Sequence, residues 1–249
     1  MAPSLIRRVF AEALGTAWLA VAIIGSGIAA TRLSPGDAGL QLLLNALATA
    51  AGLVAVILAL GPVSGAHLNP VVTLAKRLLG GLTTTEAATY AGAQVAGGAI
   101  GAVVANVMFA LPAVELASQA RSSGSLWTSE VVATFGLVLV VFALAGGGRS
   151  AAAAFAVGAY IGGAYFFTSS TSFANPAVTL ARMLSDTFAG IAPSSVPAFT
   201  VAQVVGALLA VAAVRVLYPS VAPRDDVDAI APVLSPIQSR PTARSDAGA

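Results

Sequence analysis

The 249-residue chain is 57% hydrophobic and only 9% charged, with a formal net charge of +2, one histidine and no cysteine. Ordinary globular chains carry about 25% charged residues, so this composition excludes a well-solvated soluble domain and reads as an integral membrane protein. The missing cysteines exclude disulfides, thiolate metal ligation and thiol catalysis, the lone His67 argues against a protein-built zinc or haem site, and the small net charge suggests no nucleic-acid partner.

In chain order, six apolar segments approach the roughly 20 residues that a spanning helix needs. The first, 9–30, follows Arg7 and Arg8 and carries Glu12 near its start. Its apolar run exceeds the roughly 7–15 residues of a signal-peptide core, so it is read as a mature helix. After Ser34-Pro35-Gly36-Asp37 comes the second, 38–60, and then the phrase "HLNPVVTLAK" from His67 to Lys76. Gly80-Gly81 separates it from the third segment, 87–110, which contains Ala93-Gln94-Val95. Leu111-Pro112 precedes the fourth, 129–145, with Glu130 at its start, and Gly146-Gly147-Gly148 precedes the fifth, 151–168. The phrase then returns as "FANPAVTLAR", Phe173 to Arg182, before Pro193 and the sixth segment, 196–217. From about residue 221 the chain turns to proline, aspartate, arginine and serine without apolar periodicity, and 221–249 is expected to be a disordered tail.

The two phrases belong to a longer repeat. Glu12-Ala-Leu-Gly-Thr16 matches Glu130-Val-Val-Ala-Thr134, and Ala93-Gln94-Val95-Ala-Gly97 matches Ala202-Gln203-Val204-Val-Gly206. Each half, about 5–110 and 126–218, therefore reads as a helix with a glutamate, a second helix, the Asn-Pro phrase and a helix with a glutamine. Three spans per half make the second copy enter the membrane from the opposite face, an inverted arrangement found in transport proteins. Counting lysine and arginine near the segment ends puts Arg7, Arg8, Lys76, Arg77, Arg149 and Arg215 on one side, against Arg32, Arg121 and Arg182 on the other. The bias predicts a cell-membrane protein with both termini cytoplasmic.

Asparagine is a favoured N-cap and proline a favoured first helical residue, so Asn69-Pro70 and Asn175-Pro176 each predict a helix start. About ten residues follow before Gly80 or Asp186, or about 15 Å at 1.5 Å per residue, half of a hydrocarbon core of about 30 Å. Two such half-helices entering from opposite faces would meet tip to tip near the midplane. Non-helical backbone at that depth must be buried or line a wet cavity, so 61–68 and 169–174 are predicted to offer carbonyls to a narrow polar path. Each capping asparagine would leave its amide NH₂ as a donor, and each helix N-terminus would add about half a positive charge. Neutral solutes would be hydrogen-bonded there and cations repelled. The predicted fold is all-α integral membrane, with six transmembrane helices and two re-entrant half-helices in two inverted repeats.

These residues resemble the aquaporin family of major intrinsic proteins, whose halves each carry an Asn-Pro-Ala box. Here the boxes read Asn69-Pro70-Val71 and Asn175-Pro176-Ala177, with "SGAHLNP" flanking the first, and the helix-one "AEALGT" and the paired Ala-Gln motifs also fit. The resemblance spans about 5–217 and implies a pore in every subunit of a homotetramer, occupying residues 1–220 within membrane lipid. The residues show no nucleophile–base pair or metal-ligand cluster, so no enzyme activity, cofactor or metal is expected. Water-selective members place an arginine three residues beyond the second asparagine, where this chain has Val178. The other filter positions, carried over by distance from the boxes, fall on Thr49, Gly163 and Ser172. Threonine, glycine and valine in place of a ring, a histidine and a charge imply a wider, less polar filter. It would pass glycerol-like polyols, urea-like amides or neutral metalloid acids such as arsenite, and water as well. A strict water channel, an ion-coupled secondary transporter and a structural membrane protein are the alternatives.

Four ionisable side chains need separate readings. Glu12 and Glu130 lie inside membrane segments, which raises the idea of a proton relay. Their equivalent positions favour a structural role instead, accepting hydrogen bonds from the loop entering each half-helix. His67 is either a pH gate or a hydrogen-bonded spacer, and the spacer is the preferred reading. Arg182 shares a face with Asn175 but lies seven residues, about 10 Å, along the axis. It is expected to snorkel at the outer mouth, as Lys76 would at the inner one. Gly97, Gly98 and Gly101 predict close helix packing.

Overall fold

The computed structural model describes residues 3–219, and the expected tail at 221–249 lies outside them. Among the described residues there are eight α-helices and no strand: α1 (Leu5–Leu33), α2 (Ala38–Ser64), α3 (Pro70–Leu78), α4 (Thr84–Met108), α5 (Gly124–Gly146), α6 (Ala153–Phe167), α7 (Pro176–Arg182) and α8 (Val196–Leu217). All but α3 and α7 are long and apolar enough to cross a membrane, α6 and α8 with the 3₁₀ turns that precede them. At 9 and 7 residues, α3 and α7 reach only about 14 and 11 Å.

The helix starts follow local chemistry. Ser4, Asp37, Thr83 and Ser123 each accept a hydrogen bond from the first turn of the helix they precede. Thr83 forms a reciprocal capping box with Glu86. The sequence predicted that α2 ends at Leu60, but it continues through Pro62 to Ser64. A proline removes one backbone donor, which one turn of helix tolerates more easily than an open loop inside a membrane. The helix stops at Gly65, whose N–H still bonds the Gly61 carbonyl at 2.9 Å and whose left-handed φ of 85° turns the following chain out of the helix.

Packing repeats with the sequence. In the first half α1 lies against α4 and α2, and in the second α5 lies against α8 and α6. Backbones approach closely at glycines. A Cβ on Gly97 would stand 2.1 Å from the carbonyl oxygen of Ala13, and one on the equivalent Gly206 would stand 2.4 Å from that of Val131. The predicted small-residue contact is therefore present in both halves. The halves join where α2 meets α6, while α3 packs on α8 and α7 on α4. Large apolar side chains such as Ile6, Phe10, Trp18, Ile100, Phe155 and Leu209 remain exposed on the perimeter, as befits a surface solvated by hydrocarbon.

Candidate functional site

The site begins at the two tips. Asn69 and Asn175 share one extended backbone conformation, with φ, ψ of −158°, 119° and −155°, 112°. The Asn69 side-chain oxygen accepts from the Val71 N–H at 3.0 Å, and that of Asn175 from the N–H groups of Ala177 and Val178 at 3.0 and 3.3 Å. Each amide nitrogen then crosses to the other half. Asn69 Nδ2 donates to the Ala174 carbonyl and Asn175 Nδ2 to the Leu68 carbonyl, both at 2.8 Å. The expectation that the whole NH₂ would face the path is corrected here. One of its two hydrogens latches the halves together, and the other is left for the cavity that both asparagines line.

Two buried carboxylates hold the loops that carry these tips. Glu12 accepts from Ser64 Oγ, the N–H groups of His67 and Leu68, and Gln94 Nε2, at 2.6, 3.0, 2.7 and 2.7 Å. Glu130 accepts from the N–H groups of Phe173 and Ala174 and from Gln203 Nε2, at 2.9, 2.8 and 2.7 Å. A buried carboxylate without a cation is tolerable only when hydrogen-bonded in this way. The geometry matches the structural reading of both residues. It also accounts for backbone strain: Ala66 and Leu68 in one loop, and Ser172 and Ala174 in the other, occupy the left-handed region with φ between 45° and 52°. Each such residue costs on the order of 1–3 kcal/mol and persists where its surroundings over-determine it.

A cavity of about 90 Å³ runs past the tips, several times the roughly 10–15 Å³ that one water requires. One wall is the two loops: Gly65, Ala66, His67 and Leu68, then Ser172 and Phe173. The other is built from stripes four residues apart, Leu19/Ile23 on α1, Thr49/Leu53/Ile57 on α2, Leu137/Val141 on α5 and Ala153/Val157/Ile161/Tyr165 on α6. Residues at that spacing stack on one helical face, so a largely aliphatic helical wall faces the two loops.

Of the expected filter residues, Thr49, Ser172 and Val178 line this cavity and Gly163 does not. Gly163 is exposed, with only the Phe167 ring within 4 Å of where its Cβ would be. Two residues along a helix turn it by about 200°, so with Ile161 and Tyr165 facing the cavity, Gly163 must face away. Tyr165 faces the cavity from that helix instead, its hydroxyl 3.2 Å from Thr49 Oγ1. The i, i+4 stripe on α6 was the signal that could have identified it.

Arg182 is the second correction. It does not snorkel: it is 3% exposed and lines the cavity. Its Nε donates to the Ala189 carbonyl, and its guanidinium carbon stands 3.4 Å from the centroid of the Phe173 ring. Counting Cα rise alone misplaced it, because helical side chains lean toward the N-terminus. That lean draws the guanidinium back over the Phe173 ring, on the tip side of α7. Lys76, the equivalent residue of the other half, is buried outside the lining with its stem against Gly81. His67 Nδ1 lies 3.1 Å from Thr73 Oγ1, in keeping with the spacer reading, although it also lines the cavity.

Sequence reasoning also missed the residues that shape the mouth beside Arg182. Arg121, in the linker between halves, stacks 5.1 Å from the same Phe173 ring and donates through Nε to the Gly190 carbonyl at 2.9 Å. Burial lowers its pKa from the ordinary arginine value. Asn106 Nδ2 donates to the carbonyls of Ala113 and Leu184 at 3.2 and 3.0 Å. Both residues fasten the linker to the segment that follows α7.

Comparison with known proteins places this geometry in context. A model of the major intrinsic protein family matches residues 1–172 and 145–240. The chain is 48% identical over 211 residues to the aquaglyceroporin AqpS of Rhizobium meliloti, covering 85% of this chain and 90% of that protein. It is 32% identical over 142 residues to human Aquaporin-2, covering 55% of this chain and 51% of that protein. The X-ray structure of the aquaglyceroporin from Plasmodium falciparum superposes with a TM-score of 0.67 at 20% identity, covering 88% of this chain and 99% of that one.

Proposed function

The chain belongs to the major intrinsic protein family, and on that premise we propose that it is a passive pore for uncharged solutes larger than water. Members of this family are channels rather than enzymes, and this one is a multi-pass membrane protein. The observation that carries the proposal is the crossed pair of asparagines. Each keeps an amide hydrogen at the point where two half-helices meet, with no ionisable group between them. Neutral amides donate to a passing hydroxyl or carbonyl but cannot couple its passage to a proton or sodium ion. Flux should therefore be linear in solute concentration and indifferent to membrane potential.

The two-faced wall supports amphipathic solutes. The loop side offers polar groups to hydroxyls, while the aliphatic stripes accept a carbon skeleton. Val178 in place of a guanidinium supports a filter that admits glycerol-like polyols, urea-like amides and undissociated metalloid acids such as arsenite. The name aquaglyceroporin, carried by the Rhizobium meliloti relative, points the same way. The proposal extends to a homotetramer in the cell membrane, with a pore domain at 1–220 and both termini cytoplasmic, the orientation that the basic residues favour.

The ring of Tyr165 in the cavity wall favours a second reading, a strict water channel. Stopped-flow swelling of vesicles holding the purified protein, with water, glycerol, urea and a neutral metalloid acid, separates the two. Permeation by glycerol or urea well above empty vesicles is expected. Exclusion of everything but water would establish the second reading, and uphill accumulation driven by an ion gradient would overturn both.

A further inference from the structure

We propose that Arg182 supplies the fixed positive charge and the hydrogen-bond fork of this pore's constriction, displaced by one helical turn from the box-proximal position that Val178 occupies. The proposal rests on the pore reading above and adds a specificity-determining residue to it.

Four observations converge on this side chain. Arg182 is buried and lines the same cavity as Asn69 and Asn175. It is clamped on two sides, by the Ala189 carbonyl at Nε and by the face of Phe173 beneath its guanidinium carbon. Its two terminal nitrogens donate to no described residue, and the ion pair among the described residues, Arg8 with Glu86, is elsewhere. Glu130, the buried carboxylate of that half, is already engaged by Phe173, Ala174 and Gln203. Burying a guanidinium without a counter-ion is costly unless its remaining donors find partners. A lumen carrying water or an oxygen-bearing solute provides them.

Ser172 strengthens the assignment independently. It is 3% exposed, lines the cavity next to Phe173, and its hydroxyl has no hydrogen-bond partner. A held cation with an open fork forms a station for acceptor oxygens, with Ser172 beside it in the same wall. Polyols, urea and undissociated oxoacids present such oxygens. Monovalent cations and hydronium meet a positive charge without a direct ion-pair partner among the described residues, in a low-dielectric passage where repulsion is strong. Arg121, stacked on the same ring, adds a second positive charge to that mouth. Placing the charge at Arg182 leaves the apolar Val178 at the box-proximal position while retaining the charge in the cavity wall.

The test uses purified protein in vesicles, with abundance and detergent gel filtration matched between variants. Arg182→Gln should raise proton and potassium leak about tenfold or more and also lower the glycerol-to-water permeability ratio, because the charge and the planar fork are both lost while the lumen width is kept. Arg182→Lys should keep cations out yet lower the glycerol-to-water ratio, since an ammonium is a point charge without a planar fork. Val178→Arg in the Arg182→Gln background should restore cation exclusion. A wild type that passes glycerol and an Arg182→Gln that leaks no more than wild type would overturn the proposal while leaving the pore intact. A wild type that passes no solute would overturn the pore reading and this one with it. If Arg182→Gln does not fold, the lysine variant decides: an unchanged glycerol-to-water ratio together with unchanged leak overturns the role of the fork.

Discussion

The two halves share one design down to individual hydrogen bonds, yet they finish it differently. Gln94 bridges Glu12 and Thr73 as Gln203 bridges Glu130 and Thr179. His67 packs edge-on against Tyr90 with centroids 5.6 Å apart, and the equivalent Phe173 packs against Phe199 at 5.2 Å. Val72 and Val178 both line the cavity three residues past their asparagines. The difference comes four residues later. The first half turns Lys76 away from the cavity, and the second turns Arg182 into it. The repeated bonds belong to the scaffold that presents the tips. The unrepeated ones, at Arg182 and Tyr165, belong to side chains that line the cavity.

The largest effect that bears on this comparison should come from the carboxylates. Glu12→Ala and Glu130→Ala each strand several buried donors, and at about 1–3 kcal/mol per unsatisfied group either should cost at least about 3 kcal/mol. Thermal unfolding in detergent should find Glu12→Ala the worse of the two, since it anchors four donors against three. Equal tolerance of both changes would show that the loops are held by something else.

Next in size is the paired change at the cavity valines. Val178→Arg sets a second guanidinium one turn from Arg182, so vesicle swelling should show glycerol permeability falling about tenfold or more with water falling only a few-fold. Val72→Arg should lower both alike, because it stands on the tip without the discriminating side chains. Identical glycerol-to-water ratios in the two variants would erase the functional asymmetry between the halves.

Much of the fold could be read from the residues because a membrane leaves few options. Long apolar runs must be helices, and an asparagine followed by proline starts one. The paired boxes and carboxylates could be read for the same reason, as identical phrases at matching places in each half. The filter could not. Counting residues back from a box assumes a fixed helix phase, and Gly163 failed because two positions rotate a helix onto its other face. Arg182 failed because Cα rise ignores the lean of a long side chain. The acceptors of the crossed asparagine bonds are backbone carbonyls, and a carbonyl belongs to every residue alike.

Two smaller effects sharpen the account of the filter. Tyr165→Phe removes a hydroxyl whose bond to Thr49 is long, at 3.2 Å, so stability should change by less than about 1 kcal/mol. The glycerol-to-water ratio should move no more than a few-fold, read by the same swelling assay. Smallest of all is Gly163→His, which should leave solute selectivity unchanged because that face of α6 is turned away from the cavity. A large shift in selectivity with Gly163→His would mean that α6 is rotated from the phase described.

The crossed asparagine bonds also impose an order on synthesis. Asn69 Nδ2 needs the carbonyl of Ala174, which lies 105 residues further along the chain. At roughly 5–20 residues per second, the ribosome reaches that acceptor about 5–20 s after it has made the donor. Until then α3 can sit in the bilayer with its cap only half satisfied, beside a partner wall that does not yet exist. The first re-entrant segment is thus completed only by the second repeat, and a nascent chain released before Ala174 carries an unfinished tip into the membrane.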